Sequence, residues 1–140
     1  MKKYTLGFIF NASLDKVLLM HKLKPDWQVG KLNGLGGKME DEEDGIRGIQ
    51  REIKEEAGLN TEPSDWIYIG TLHSATWTME VFGYIYTGDL TDAKSLEEER
   101  VEWFDVEKLP KNVINNLRWL IPMTLDKLKH GGFKEAVVEC

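Results

Sequence analysis

Glu52, Glu55 and Glu56 fall within five positions of the stretch 51-REIKEEAG-58, with Arg51 in front and Gly58 behind. On an α-helix, residues three and four apart share a face, so the three carboxylates crowd one small patch. Left alone, that patch costs free energy by mutual repulsion, and one carboxylate tends to take up a proton. A hard divalent cation such as Mg²⁺ or Mn²⁺ reverses the sign, because all-oxygen ligands are what these ions prefer. Arg51 lies one turn before Glu55 and can hold a carboxylate through its rigid fork of donors. The competing reading is a solvated acidic face, and the surrounding register has to decide between the two.

The helix that would carry these residues runs over 44–57. Ile46, Ile49, Ile53 and Ala57 recur at helical spacing, and Gly58 suits the stop. Residues 4–11 and 16–22 read as strands joined by a turn at Ala12–Asp15. Residues 23–39 hold Gly30, Gly34, Gly36 and Gly37 with one proline, which predicts a shaped loop. Further strands are expected at about 66–75, 77–87 and 100–104, with acidic 89–99 as a loop between the last two. Ile114, Leu117, Leu120, Ile121, Leu125 and Leu128 form a stripe that predicts a second helix over 112–129, kinked or split by Pro122. Residues 132–138 read as a last edge strand. This order indicates an α/β (α+β) domain with helices packed on a mixed sheet, one domain over residues 1–140.

The composition excludes several classes. A 41% hydrophobic and 30% charged chain is ordinary for a folded globular protein and argues against disorder. The longest apolar runs, 4-YTLGFIF-10 and 16-KVLLM-20, are strand-length and too short to span a membrane. Lys2 and Lys3 before an apolar run mimic a signal peptide, but the run breaks at Asn11 and a second strand-like segment follows. The single cysteine, Cys140, rules out an intramolecular disulfide and fits a reducing, cytoplasmic setting. A net charge of −6 without a basic block disfavours nucleic-acid binding. A polyanionic substrate would need a bound cation to bring it in.

The register around the glutamates is highly specific. From Gly37, five residues lead to Glu43 and seven more to Arg51–Glu52; then come Ile53, a spacer, Glu55–Glu56, a spacer, Gly58 and Leu59. This stretch, 37-GKMEDEEDGIRGIQREIKEEAGL-59, resembles the box of the Nudix hydrolases at every defined position. The resemblance implies a loop–helix–loop on an α/β/α sandwich with a central mixed β-sheet. It also implies Mg²⁺-dependent hydrolysis of a nucleoside diphosphate linked to another group. By carry-over, Glu52, Glu55 and Glu56 bind metal, Glu43 and Arg51 support them, and Gly37 contributes its carbonyl. The general base stays open among Glu52, Glu55 and a loop carboxylate in 97-EEER-100, where similarity favours Glu98. Lys38, and Lys22 or Lys24, are candidates for phosphate contacts, with plain surface lysine as the alternative.

Outside the box, 33-NGLGGK-38, 103-WFDVEKLP-110 and 119-WLIPMTLDKLKHGGFKE-135 resemble the MutT-like branch that cleanses oxidised purine nucleotides. That resemblance implies an 8-oxo-dGTP diphosphatase. It puts Asn33 at the base pocket, sets Asn115–Asn116 where relatives carry two adjacent aspartates, and makes Trp119 a stacking platform. Leu32 stands where the relative has a tryptophan, and one extra residue lies between Trp119 and Pro122. Trp27, Phe8, Thr5, Leu6 and Met79 are further candidates for the pocket, with core packing as the alternative. His21, His73 and His130 show no ligand spacing. An asparagine amide pairs bidentately with the donor and acceptor on the oxidised guanine edge, where ordinary guanine offers two acceptors. Other phosphoanhydride substrates, such as ADP-ribose, a dinucleotide or an unmodified nucleoside triphosphate, compete with this reading. So does a non-catalytic nucleotide-binding sensor domain, against which the intact glutamates argue. The partner implied is a small-molecule nucleotide, with the chain acting as a monomer or homodimer.

Overall fold

The computed structural model describes residues 1–140. Its spine is β1 (Lys2–Asn11), whose alternating residues go to opposite faces of the sheet. Leu6, Phe8 and Phe10 join one hydrophobic cluster and Ile9 the other. The following strand β2 (Lys16–His21) splits the same way: Val17 and Leu19 face one side, Leu18 and Met20 the other. A sheet apolar on both faces needs a cover on each. Helix α1 (Gly45–Ala57) supplies one by packing Ile49, Ile53 and Ala57, all fully buried, against Ile9, Leu18 and Leu35. Helix α2 (Leu117–His130) supplies the other with Leu117, Leu120, Ile121 and Leu125. The result is an α/β/α sandwich around a mixed eight-stranded sheet.

β1 runs parallel to β6 (Trp77–Tyr86) over its whole length. Its other edge is shared: β4 (Leu35–Lys38) takes the first half, and β2 pairs near its end. β2 also pairs with β3 (Leu32–Asn33) and β7 (Val101–Asp105). β5 (Ile67–His73) joins β6 to the edge strand β8 (Ala136–Glu139). Asp44 caps α1 by accepting from Arg47 N–H at 2.8 Å, and Gly58 ends it in the left-handed region. No helix is long and apolar enough to cross a membrane.

Four expectations need correction. The predicted loop 23–39 contains the short strands β3 and β4, which glycine content hid because their pairing is dictated by β1 and β2. The second helix begins at Leu117, five residues later than expected; Ile114 N–H and carbonyl Leu32 bond across the sheet edge instead. Pro122 does not split the helix, because the late start leaves it in the second turn. The lost donor there removes a single rung of the hydrogen-bond ladder. The final strand begins at Ala136, since Gly131 closes α2 and residues 132–135 form the link.

Candidate active site

α1 lifts its glutamates from a buried face to an exposed one. Glu56 is 5% exposed and its Oε1 accepts from Gly36 N–H at 3.0 Å. Burial, and then the neighbouring charge of Glu52, push its carboxyl up to about 8. Glu52 is also raised, chiefly by burial. Glu55 stands half exposed at the rim. Arg51 braces the group: Nε and Nη2 grip Glu43 at 2.7 and 3.0 Å, and Nη1 reaches Glu52 at 3.0 Å and Glu55 at 3.3 Å. Nη2 also donates to the Lys38 carbonyl at 3.3 Å. That two-pronged contact holds the Glu43 carboxyl below its ordinary value, so Glu43 is a support for the cluster.

Gly36 and Gly37 bring backbone against these carboxylates. Gly36 has φ +147°, and a Cβ there would lie 2.1 Å from Thr5 O, so no side chain fits. At Gly37 a Cβ would lie 2.7 Å from Glu52 Oε1, which fills the place a side chain would take. The Gly37 carbonyl accepts from Thr5 Oγ1 at 3.4 Å. As they stand, no three acidic or imidazole side chains converge closely enough to hold a metal ion, and Arg51 Nη1 bonds both Glu52 and Glu55. The chemistry of the donor set nevertheless fits a hard divalent cation. It is all oxygen, carries three carboxylates, and includes a buried Glu56 whose proton a cation can replace.

A cleft of about 460 Å³ is lined by Tyr4, Leu6, Trp27, Gln28, Asn33, Trp77, Met79, Ile114 and Asn116 among others. A narrower one of about 190 Å³ shares Tyr4, Leu6, Gln28, Asn33 and Met79 with it and reaches Thr5, Lys22, Gly36 and Gly37. The pair forms a path from an apolar chamber to the box. Asn33 stands where the two meet, its Oδ1 accepting from Gly34 N–H at 2.8 Å and its Nδ2 donating to Gln28 Oε1 at 3.2 Å. Asn116 precedes α2 without capping it, and the amide end assigned as Oδ1 is buried with no hydrogen-bond partner.

Several sequence-predicted residues fall elsewhere. Trp119 is 40% exposed and lines neither cleft, because α2 turns Leu117, Leu120 and Ile121 inward and Trp119 away. Asn115 is exposed, leaving Asn116 alone of the pair on the cleft. Phe8 is core, Leu32 is core, and Thr5 lines only the narrow cleft. Lys38 is exposed on neighbouring surface beside Lys2 and Lys3. Lys24 is exposed too, whereas Lys22 lines the narrow cleft and pairs with Glu99 at 3.1 Å. In the acidic loop, the charge of Glu97 is one of those acting on Glu52 and Glu56. Glu99 turns inward to accept from Leu23 and Lys24 N–H at 2.7 and 3.3 Å. His21 pairs with Glu102 at 2.8 Å, away from the box. Trp77 was missed although it shares a face with Met79, two residues on in β6, a period-two signal that was there to find.

A family model for the NUDIX domain matches residues 2–123. The chain belongs to the Nudix family. This chain is a Nudix hydrolase, and its sequence relatives are named for oxidised purine nucleotides. It is 31% identical over 138 residues to the oxidized purine nucleoside triphosphate hydrolase of Danio rerio, covering 91% of this chain and 83% of the relative. It is also 31% identical over 113 residues to the 8-oxo-dGDP phosphatase of Homo sapiens, covering 76% of this chain but only 33% of that protein. Among solved structures, a Nudix hydrolase from Nitrosomonas europaea superimposes with a TM-score of 0.74 at 20% identity, covering 99% of this chain and 79% of that one. A MutT Nudix hydrolase from Burkholderia pseudomallei gives a TM-score of 0.72 at 20% identity, over 87% and 96% of the two chains. These structural likenesses establish the fold.

Proposed function

We propose that the chain hydrolyses 8-oxo-dGTP and related oxidised purine nucleoside phosphates, releasing the nucleoside monophosphate, in a reaction dependent on Mg²⁺ or Mn²⁺. One observation supports the choice of base: Asn116 lines a cleft that runs into the box, and its Oδ1, closed off from solvent in the ligand-free chain, has no hydrogen-bond partner. An orphaned acceptor calls for a donor. The oxidised guanine edge offers N7–H, and ordinary guanine offers a lone pair at that atom. Acceptor facing acceptor costs about 1–3 kcal/mol, a discrimination of about 5- to 150-fold.

Glu52, Glu55 and Glu56, with the Gly37 carbonyl, are the residues that would hold the cation. A bound Mg²⁺ supplies screening of the phosphate charge and activation of water. The chain does the rest. Arg51, held by Glu43, keeps the Glu52 and Glu55 carboxylates in one orientation. Lys22 places a positive charge on the narrow cleft, where the phosphates would lie. Leu6, Met79, Ile114 and Trp77 give the base an apolar chamber. Water adds to phosphorus, the anhydride oxygen leaves with pyrophosphate, and the water's proton passes to a carboxylate. Among the loop carboxylates Glu98 is a candidate acceptor, and Glu97, whose charge acts on Glu52 and Glu56, is another.

The test compares kcat/KM for 8-oxo-dGTP, 8-oxo-dGDP, dGTP and ADP-ribose with Mg²⁺, in wild type and Asn116→Ala. The diphosphate is included because the human relative is named for it. Wild type should favour the oxidised bases, and Asn116→Ala should lower that preference by about 5-fold or more with dGTP turnover little changed. Equal wild-type rates on dGTP and 8-oxo-dGTP would sink the proposal.

A further inference from the structure

Gln28 sits where the two clefts join, lining both, and neither the box nor the mechanism above gives it a task. Its backbone is held on both sides: its N–H donates to Pro25 O at 2.8 Å and its carbonyl accepts from Lys31 N–H at 2.9 Å. The side chain therefore projects from a fixed point. Its Oε1 accepts one hydrogen of Asn33 Nδ2. The opposite end of the Asn33 amide is committed as well, since Oδ1 accepts from Gly34 N–H. A primary amide carries two N–H donors. With one of them engaged by Gln28, Asn33 has a single N–H left to offer a ligand, in one direction. Asn116 lines the same cleft, and its Oδ1, closed off from solvent in the ligand-free chain, has no partner there.

We propose that Gln28 is a positioning residue that determines specificity: it clamps the Asn33 amide so that the cleft presents one fixed donor beside the Asn116 acceptor. The identity of the ligand rests on the oxidised-purine reading; the clamp stands on the hydrogen bonds of the ligand-free chain. Without Gln28 the Asn33 amide is tied only at Gly34 and is free to swing, and the cost of ordering it again falls on ligand binding. Gln28 touches neither the carboxylate cluster nor Arg51, so its loss is felt in KM and leaves the chemical step alone.

Two variants separate the clamp from simple packing. Gln28→Met keeps the length of the side chain and removes the acceptor, while Gln28→Glu keeps an acceptor in place. The readouts are the Asn33 side-chain amide signals in NMR spectra of the ligand-free protein, and kcat and KM for 8-oxo-dGTP and dGTP with Mg²⁺. In Gln28→Met the two Asn33 amide protons should shift and exchange faster with water. KM for 8-oxo-dGTP should rise about 3- to 10-fold, the worth of one hydrogen bond, with kcat within about 2-fold of wild type. Gln28→Glu should return the Asn33 signals close to wild type, while its added negative charge beside the phosphates raises KM for both nucleotides alike. Unchanged Asn33 signals in Gln28→Met, or the same change of those signals in both variants, would overturn the clamp. A wild type that shows no preference for 8-oxo-dGTP refutes the substrate reading instead, and the amide signals still judge the clamp.

Discussion

Replacing Glu56 by Gln in the metal-free protein should alter the dependence of stability on pH in a calculable way. The Glu56 carboxyl is nearly inaccessible and is pushed from its ordinary 4.5 up to about 8, by burial first and the Glu52 charge second. Between those two pH values the unfolded chain has lost this proton and the folded chain still holds it. Stability then falls as pH rises through that window, because the unfolded state binds fewer protons. At about 1.4 kcal/mol per pH unit, the loss accumulated from pH 4.5 to pH 7 is about 3 kcal/mol. Glutamine has no proton to lose and keeps an Oε1 for Gly36 N–H. The difference in unfolding free energy between Glu56→Gln and wild type should therefore shift in favour of the variant by about 3 kcal/mol across this range, about 10 °C in Tm. Urea titrations at half-unit steps of pH, in EDTA, measure it. Saturating Mg²⁺ should stabilise wild type at pH 8 and leave Glu56→Gln nearly unmoved. Parallel pH profiles for the two proteins would refute the assignment of a buried, proton-holding Glu56.

Two further outcomes follow from contacts at the box. Gly36→Ala forces a Cβ to 2.1 Å from Thr5 O at φ +147°, so it should lose about 3 kcal/mol or more of stability by urea unfolding; a loss under about 1 kcal/mol would contradict the close approach. Glu97→Gln should lower the NMR-measured titration of Glu56 in the metal-free protein, since Glu97 is among the charges that raise it; Glu98→Gln should lower it less, and the reverse pattern would make Glu98 the carboxylate nearer the cluster.

Legibility in the sequence followed the range of the interaction. The box was readable because its residues stand at fixed spacing on one helix, where three- and four-residue intervals fix who shares a face. The strand pair at the start was readable because period-two burial is local to each strand. β3 and β4 were not, since Leu32–Asn33 and Leu35–Lys38 become strands only by lying beside β1 and β2. Trp119 was placed at the base by resemblance to relatives, but helical phase, set by Leu117, Leu120 and Ile121, points it outward. Glu97, Glu98 and Glu99 look alike as letters, yet Glu99 alone turns inward to pin the loop of residues 22–24, and Glu97 is one of the charges acting on Glu52 and Glu56. Gln28 carried no pattern at all, because its relation to Asn33 exists only after the intervening chain folds back.

The alternation of β1 has a consequence for how this molecule can change. Leu6 points toward the chamber beneath α2, whereas Thr5, the adjacent residue, supports the Gly37 carbonyl on the side of α1. On the proposed reading, reaction and choice of substrate would thus be carried by neighbouring residues of a single extended segment. Substitutions that reshape the chamber meet the carboxylates mainly through backbone, so the two functions can be altered separately, with near-additive effects. Their spacing along the nucleotide is another matter. It is set by one residue step of a strand and cannot be adjusted by exchanging side chains.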